Sequence, residues 1–183
     1  NAYRMTFPNQ TMRSIYMDYY NVLNRIDGGA MRYAPVYERF TEERRFESLV
    51  QNYFEQYLGQ FPAEVFDKIN ENFIRCSFFE LVSRYLSMCY TFAIEQNNSE
   101  GRADFEMTGI PGTDYYTDDR LVEFKYFKAK DAEKVLASDS PLAEYVEQVH
   151  RYAKDTLRRF PNYHVRTYVV YICANRGWKC WEV

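Results

Sequence analysis

Histidine is nearly missing from this 183-residue chain, which has two. Its four cysteines, Cys76, Cys89, Cys173 and Cys180, stand far apart, with no C-x-x-C among them. A zinc centre needs Cys and His ligands clustered at short spacing, so none is expected, and the cysteines read as buried, reduced thiols. No apolar run of about 18 residues occurs, which leaves no candidate for a membrane-crossing helix. A basic segment followed by an apolar stretch, the mark of a secretory leader, is also missing, and a cytoplasmic protein is expected. There is no G-x-x-x-x-G-K-[ST] run to hold a nucleoside triphosphate. Nor is there an excess of positive charge: 23 Lys and Arg face 26 Asp and Glu, for a net charge of −3. Non-specific nucleic-acid binding is dominated by phosphate neutralisation, so any such contact must come from a local basic face. The chain opens on Asn rather than Met, which leads to the expectation of a piece of a longer protein.

What is present is apolar and strongly aromatic: 46% hydrophobic residues, with 18 Tyr and 14 Phe. Such a chain can bury a core, and it is far from the composition of a disordered one. Apolar residues recur at helical spacing at Met12, Ile15, Tyr16, Tyr19, Val22, Leu23 and Ile26, up to Gly28-Gly29. Thr41 reads as the N-cap of a second helix, with Phe46, Leu49, Val50, Tyr53, Phe54, Tyr57 and Leu58 as its stripe and Gly59 as its stop. A third helix is expected from about Asn70 to about Cys89. The period then changes to two, and strands are expected at 91–96, 103–107, 121–127, 165–173 and 178–183. Pro111-Gly112 marks a turn between the second and third strands, with polar 113–119 lengthening the hairpin. One helix, from about Pro141 to Arg159, interrupts the strands. The chain thus reads as an N-terminal helical annex, 1–69, followed by a mixed core, 70–183.

The chemistry concentrates in two short runs, Gly101-Arg-Ala-Asp104 and Leu121-Val-Glu-Phe-Lys125. Alternate residues of a strand share a face, so Glu123 and Lys125 point one way and Val122, Phe124 and Tyr126 the other. Asp104 lies across the hairpin and can approach Glu123. Two converging carboxylates repel unless a cation sits between them, and Mg²⁺ or Mn²⁺ suits such a pair. The alternative is a cross-strand ion pair on a wet sheet face. At 100° per residue Glu71 falls on the apolar stripe of the third helix, where a carboxylate needs a partner; the alternative is that it only complements the helix dipole. Gln148 and Tyr152 share a face of the last helix. Gln148 can reach a phosphate or a metal-held water, or else it is a half-buried amide. Lys128, Lys130 and Arg158, with Tyr152, are candidate nucleic-acid contacts on a basic rim that acidic residues interrupt.

Taken together these residues resemble the PD-(D/E)xK nuclease superfamily. Asp104, Glu123 and Lys125 match its signature, with Glu71 on the preceding helix and Gln148 and Tyr152 on the following one. The chain is also similar to the nuclease-like domain found in bacterial proteins behind an AAA-ATPase-like domain. That likeness rests on Phe7-Pro8-Asn9, Asn70-Glu71-x-Phe73, Ser99-Glu100-Gly101-Arg102-x-Asp104, Val122-Glu123-Phe124-Lys125 and Gln148-Val149-x-x-x-Tyr152. Ile74-Arg75 stands where that family has a Tyr-His pair, and the hairpin after Asp104 is longer. The resemblance implies an α/β (α+β) fold of restriction-endonuclease type, a central mixed sheet flanked by helices. It also implies Mg²⁺-dependent phosphodiester hydrolysis, DNA in preference to RNA as substrate, Asp104, Glu123 and Glu71 on the metal, Lys125 and Gln148 assisting, and an upstream ATPase-like domain. A homo-oligomer is compatible with it. The alternative function is a non-catalytic module of the same fold, binding nucleic acid or docking a protein beside the ATPase.

Overall fold

The computed structural model describes residues 12, 15, 16, 19, 29–94 and 103–183. The chain divides into two compact units, Asn1–Arg44 and Arg45–Val183. In the first, Met12, Ile15, Tyr16 and Tyr19 are helical as their spacing predicts, and all four are exposed. Phe7-Pro8-Asn9 and Val22 through Gly28 lie outside the described residues, as does 95–102 with Arg102. Helix α1, Gly29–Glu43, differs from expectation. Thr41 does not open a helix; it sits in the last turn of α1, where its Oγ1 donates to the Glu38 carbonyl at 2.6 Å. Tyr33, Tyr37 and Phe40 supply the buried stripe that carries the helix through. Pro35, inside it, hides that stripe from a reading that takes proline as punctuation.

The second unit begins with α2, Phe46–Asn52, which runs on through a π-helical turn, Tyr53–Tyr57, and closes at Leu58–Gln60. Phe46, Leu49, Val50, Tyr53 and Leu58 are buried, as the stripe predicts. Helix α3, Glu71–Leu86, starts where Asn70 accepts a hydrogen bond from the Phe73 N–H at 3.0 Å, an N-cap that satisfies one orphan donor. Its buried face is Ile74, Ser77, Phe78, Leu81, Val82 and Leu86. Cys76 falls off that face and is exposed, so not every thiol is buried: Cys173 is, while Cys89 and Cys180 are intermediate, and all four are free.

Five strands follow in spatial order β1 to β5: Tyr90–Ile94, Phe105–Gly109, Asp118–Phe127, His164–Cys173 and Gly177–Glu182. All neighbours are antiparallel except β3 and β4, which are parallel from Asp118↔His164 to Phe127↔Cys173. A parallel pair needs a crossover, here made by α4, Ala132–Leu136, and α5, Ala143–Arg159. The expected mixed sheet with flanking helices is therefore present. One sheet face packs on α2 and α3, through the rings of Phe46, Phe78, Phe105, Phe124 and Tyr168. The other packs on α5, through Leu121, Val149, Val169 and Tyr171. Among the described residues no helix is long and apolar enough to cross a membrane.

The hairpin between β2 and β3 is shorter than its polar sequence suggests. Gly112 takes the left-handed turn at φ 85°. Asp118 and Asp119 already belong to β3 and are buried. Asp118 is tolerated there because Arg120, itself wholly buried, donates to it at 2.9 Å, and the Tyr90 hydroxyl does so at 2.6 Å. A run of three charged residues reads as loop only until they are seen to pair.

Candidate active site

The sheet supplies the site through a mismatch in strand length. Strand β2 pairs with β3 only from Thr108↔Asp119 to Phe105↔Val122. Beyond Val122, β3 continues to Phe127 with β4 on one side alone. The chain just before β2 bends at Asp104, and this carboxylate takes the backbone donor that β2 leaves unpaired: Phe124 N–H donates to Asp104 Oδ2 at 2.8 Å. Its other oxygen accepts from the Arg75 guanidinium at 2.5 Å. Arg75 also bonds the Asn72 side chain.

Lys125 and Glu123 share a face of β3, as alternation requires, and the lysine gathers three carboxylates. Its Nζ lies 2.7 Å from Glu123 Oε1, 3.2 Å from Glu71 Oε1 and 4.0 Å from Asp104 Oδ2. It also sits over the Tyr145 ring of α5, 4.9 Å from the centroid. Glu123 is 0% exposed. Oε1 is held by the Lys125 ammonium, while Oε2 has no hydrogen-bond partner. A buried carboxylate with one oxygen unpartnered is costly.

Titration follows from this packing. Burial, and then the adjacent Asp104 charge, push the Glu123 carboxyl from 4.5 up to about 7, against the pull of Lys125. Burial raises Asp104 as well, opposed by Lys125, Arg75 and the Phe124 N–H. Burial alone would lower the Lys125 ammonium, but Glu123, Asp104 and Glu71 together hold it above its ordinary value.

The candidates that follow β3 stand differently. The hydrogen bond of Gln148 goes to the Tyr152 hydroxyl on its own helix, at 3.4 Å. Lys128 directs its ammonium at the carbonyls of Asp67 (2.7 Å), Ile69 (3.2 Å) and Phe66 (3.4 Å), where it ties β3 to the start of the core. Lys130 and Arg158 are exposed, and Arg158 pairs with Asp155. Arg75 was not among the sequence candidates. The available signal was its position one helical turn after Glu71, on the same face.

Among the described residues no three or more His, Cys, Asp or Glu side chains are grouped to hold a metal ion. The donor set still suits a hard divalent cation, which takes one or two carboxylates and keeps several waters. Asp104 and Glu123 are such a pair, and the unpartnered Glu123 Oε2 is the feature a cation would relieve. Glu71 reaches the site through Lys125.

Arg75 has a measurable role here. Arg75→Ala is expected to cost about 1.5–3 kcal/mol in urea unfolding of the metal-free protein, since a nearly buried carboxylate loses a charged donor. A loss below about 0.5 kcal/mol, the range of ordinary surface changes, would show that water replaces the guanidinium freely.

No curated protein and no solved structure matches the chain. Residues 69–182, more than half of it, match the family model of the PD-(D/E)XK nuclease superfamily, and that stretch runs from the start of α3 through β5. The chain belongs to the PD-(D/E)XK nuclease superfamily.

Proposed function

We propose that the chain hydrolyses phosphodiester bonds in nucleic acid, DNA in preference to RNA, with Mg²⁺ or Mn²⁺ held by Asp104 and Glu123. The observation that carries this is the buried Glu123 carboxylate beside Asp104, with Oε2 unpartnered and Oε1 held only by the Lys125 ammonium. When bound, the cation supplies Lewis-acid stabilisation of charge at a phosphoryl oxygen. The chain's own residues set the rest. Arg75 and the Phe124 N–H fix the rotamer of Asp104, so its carboxylate is oriented before any ligand arrives. Lys125, anchored by Glu71, is placed to orient a water or to neutralise charge on the phosphoryl group. Tyr145 bounds the ammonium on the α5 side, with Gln148 and Tyr152 further along the same helix. The sequence motifs that resemble ATPase-linked nuclease domains support the further proposal of an ATPase-like domain upstream.

The test is a thermal shift with Mn²⁺, followed by a cleavage assay on duplex DNA, single-stranded DNA and RNA, with a chelator control. At a hundredfold excess over Kd a bound ion adds about 2.7 kcal/mol, or roughly 5–10 °C in Tm for a chain of this size. Asp104→Ala is expected to erase that shift. No shift in the wild type would overturn the metal assignment.

One observation favours a second reading. Lys125 and Arg75 already balance most of the negative charge of the site, as they would in a module that binds without cutting. Retention of DNA in a gel shift, with no cleavage in Mg²⁺ or Mn²⁺, is the result that reading predicts.

A further inference from the structure

The sheet face that carries Asp104 and Glu123 holds a second pair of carboxylates further along β3. Asp119 is 0% exposed. Its Oδ1 accepts from the Thr108 hydroxyl at 2.9 Å, while Oδ2 has no hydrogen-bond partner. Thr108 stands directly opposite Asp119, and Glu106 opposite Leu121, so Glu106 is the diagonal neighbour of Asp119 on one face. Diagonal pairs are within reach of a side chain as long as Glu. Glu106 and Thr108 are half-buried, so the cluster opens toward solvent on their side while Asp119 closes it below. Burial, and then the Glu106 charge, push the Asp119 carboxyl from 3.8 to about 7. Asp118, next in sequence, faces the other way and is satisfied by Arg120 and Tyr90.

We propose that Asp119, Glu106 and Thr108 form a second cation site, for a hard divalent ion, separate from the Asp104–Glu123 pair. Three features support it. The donors are all oxygens, the set that Mg²⁺, Mn²⁺ and Ca²⁺ select. The free Asp119 oxygen is sealed from bulk water, so its charge is compensated by a bound cation or removed by a proton. Among the described residues no third acidic, His or Cys side chain joins the two carboxylates, so the remaining positions would fall to water, as suits such ions. Asp119 and Glu123 stand four positions apart on β3, about 13 Å at ~3.3 Å per residue. Paired catalytic metals stand about 3.5–4 Å apart, so this ion is not the second metal of a two-metal reaction. Its place is structural: it joins β2 to β3 next to the hairpin, on the strand that carries Glu123 and Lys125.

Counting bound Mn²⁺ by the loss of the free-ion electron paramagnetic resonance signal tests this on the full chain. Wild type is expected to bind two ions, and the Asp104→Asn/Glu123→Gln variant one. Adding Asp119→Asn to that variant should leave none. Glu106→Gln, on the half-exposed member, should weaken the same ion at least tenfold and guards against an Asp119 variant that does not fold. One wild-type ion, lost with Asp104→Asn/Glu123→Gln and kept in Glu106→Gln, would overturn this inference and leave the proposed function standing. One ion lost only with Asp119→Asn or Glu106→Gln would uphold the inference and remove the metal from the Asp104–Glu123 pair. Full binding that none of these substitutions alters would overturn it as well, with Asp119 and Glu106 then sharing a proton.

Discussion

Glu123→Gln is expected to abolish metal-dependent cleavage and, at the same time, to raise the melting temperature of the metal-free protein at pH 8. The two effects have one cause. Glu123 is wholly buried, has Lys125 against one oxygen and nothing on the other, and lies beside Asp104. A bound cation would make its charge useful; without one the charge is a liability. The neutral amide removes a proposed ligand, and losing several kcal/mol of metal-derived transition-state stabilisation is on the order of 10³ in rate. For stability, the sign follows from the direction of titration. The folded carboxyl titrates near 7 and the unfolded one near 4.5. Below pH 4.5 both are protonated and nothing is lost. Between about 4.5 and 7 the unfolded state ionises first, and stability falls by up to about 3 kcal/mol. Glutamine escapes that fall. Lys125 loses one of three carboxylates in the exchange, so a gain of a few degrees is expected rather than the full amount. Asp119 titrates over a similar window, so the variant should flatten the pH dependence without removing it. Urea unfolding at pH 4.5 and 8 in a chelator checks this. A variant less stable than wild type at pH 8 would show that the Lys125 contact outweighs burial.

The second large effect is on the core. Phe78 on α3 is wholly buried and packs its ring against Phe124 at 5.1 Å, Phe105 at 5.2 Å, Tyr53 at 5.3 Å and Phe46 at 5.9 Å. It joins α2, α3, β2 and β3 at one point. Phe78→Ala leaves a cavity bounded by four rings, none of which can collapse far. A cost of about 3–5 kcal/mol is expected, which lowers Tm by roughly 6–20 °C. The same helix carries Glu71 and Arg75, so the Mn²⁺-induced shift should also shrink in this variant. Phe78→Leu should recover most of the stability. If Phe78→Ala lowers Tm by less than about 2 °C, the packing of α3 on the sheet is not what positions those two side chains.

Much of the scaffold was legible because its signals are short in range. Alternation over Leu121 to Phe127 put Glu123 and Lys125 on one face before any tertiary contact was known. The apolar spacing of α3 placed Glu71 beside the buried stripe, and Asn70 marked where the helix starts. The misreadings share a cause as well. Thr41 looked like a cap because it stands just ahead of the stripe that begins at Phe46, whereas the burial of Tyr33, Tyr37 and Phe40 shows only in the fold, and Asp118 and Asp119 looked like loop because their partners, Arg120, Tyr90 and Thr108, act through side-chain contacts that local pattern does not show.

The sequence by itself determined the order of α3, the five strands and α5, the period of each and the residue types able to bind a cation, because backbone geometry repeats every two or 3.6 residues whatever surrounds it. Only the tertiary structure decided that β2 ends opposite Val122, that Asp104 therefore reaches the bare edge of β3, and that Arg75 and Glu71 come in from α3 to meet Asp104 and Lys125. Those are contacts between residues 20 to 54 positions apart. They depend on strand register and helix docking, and these are set by how a whole core packs rather than by any one segment of it.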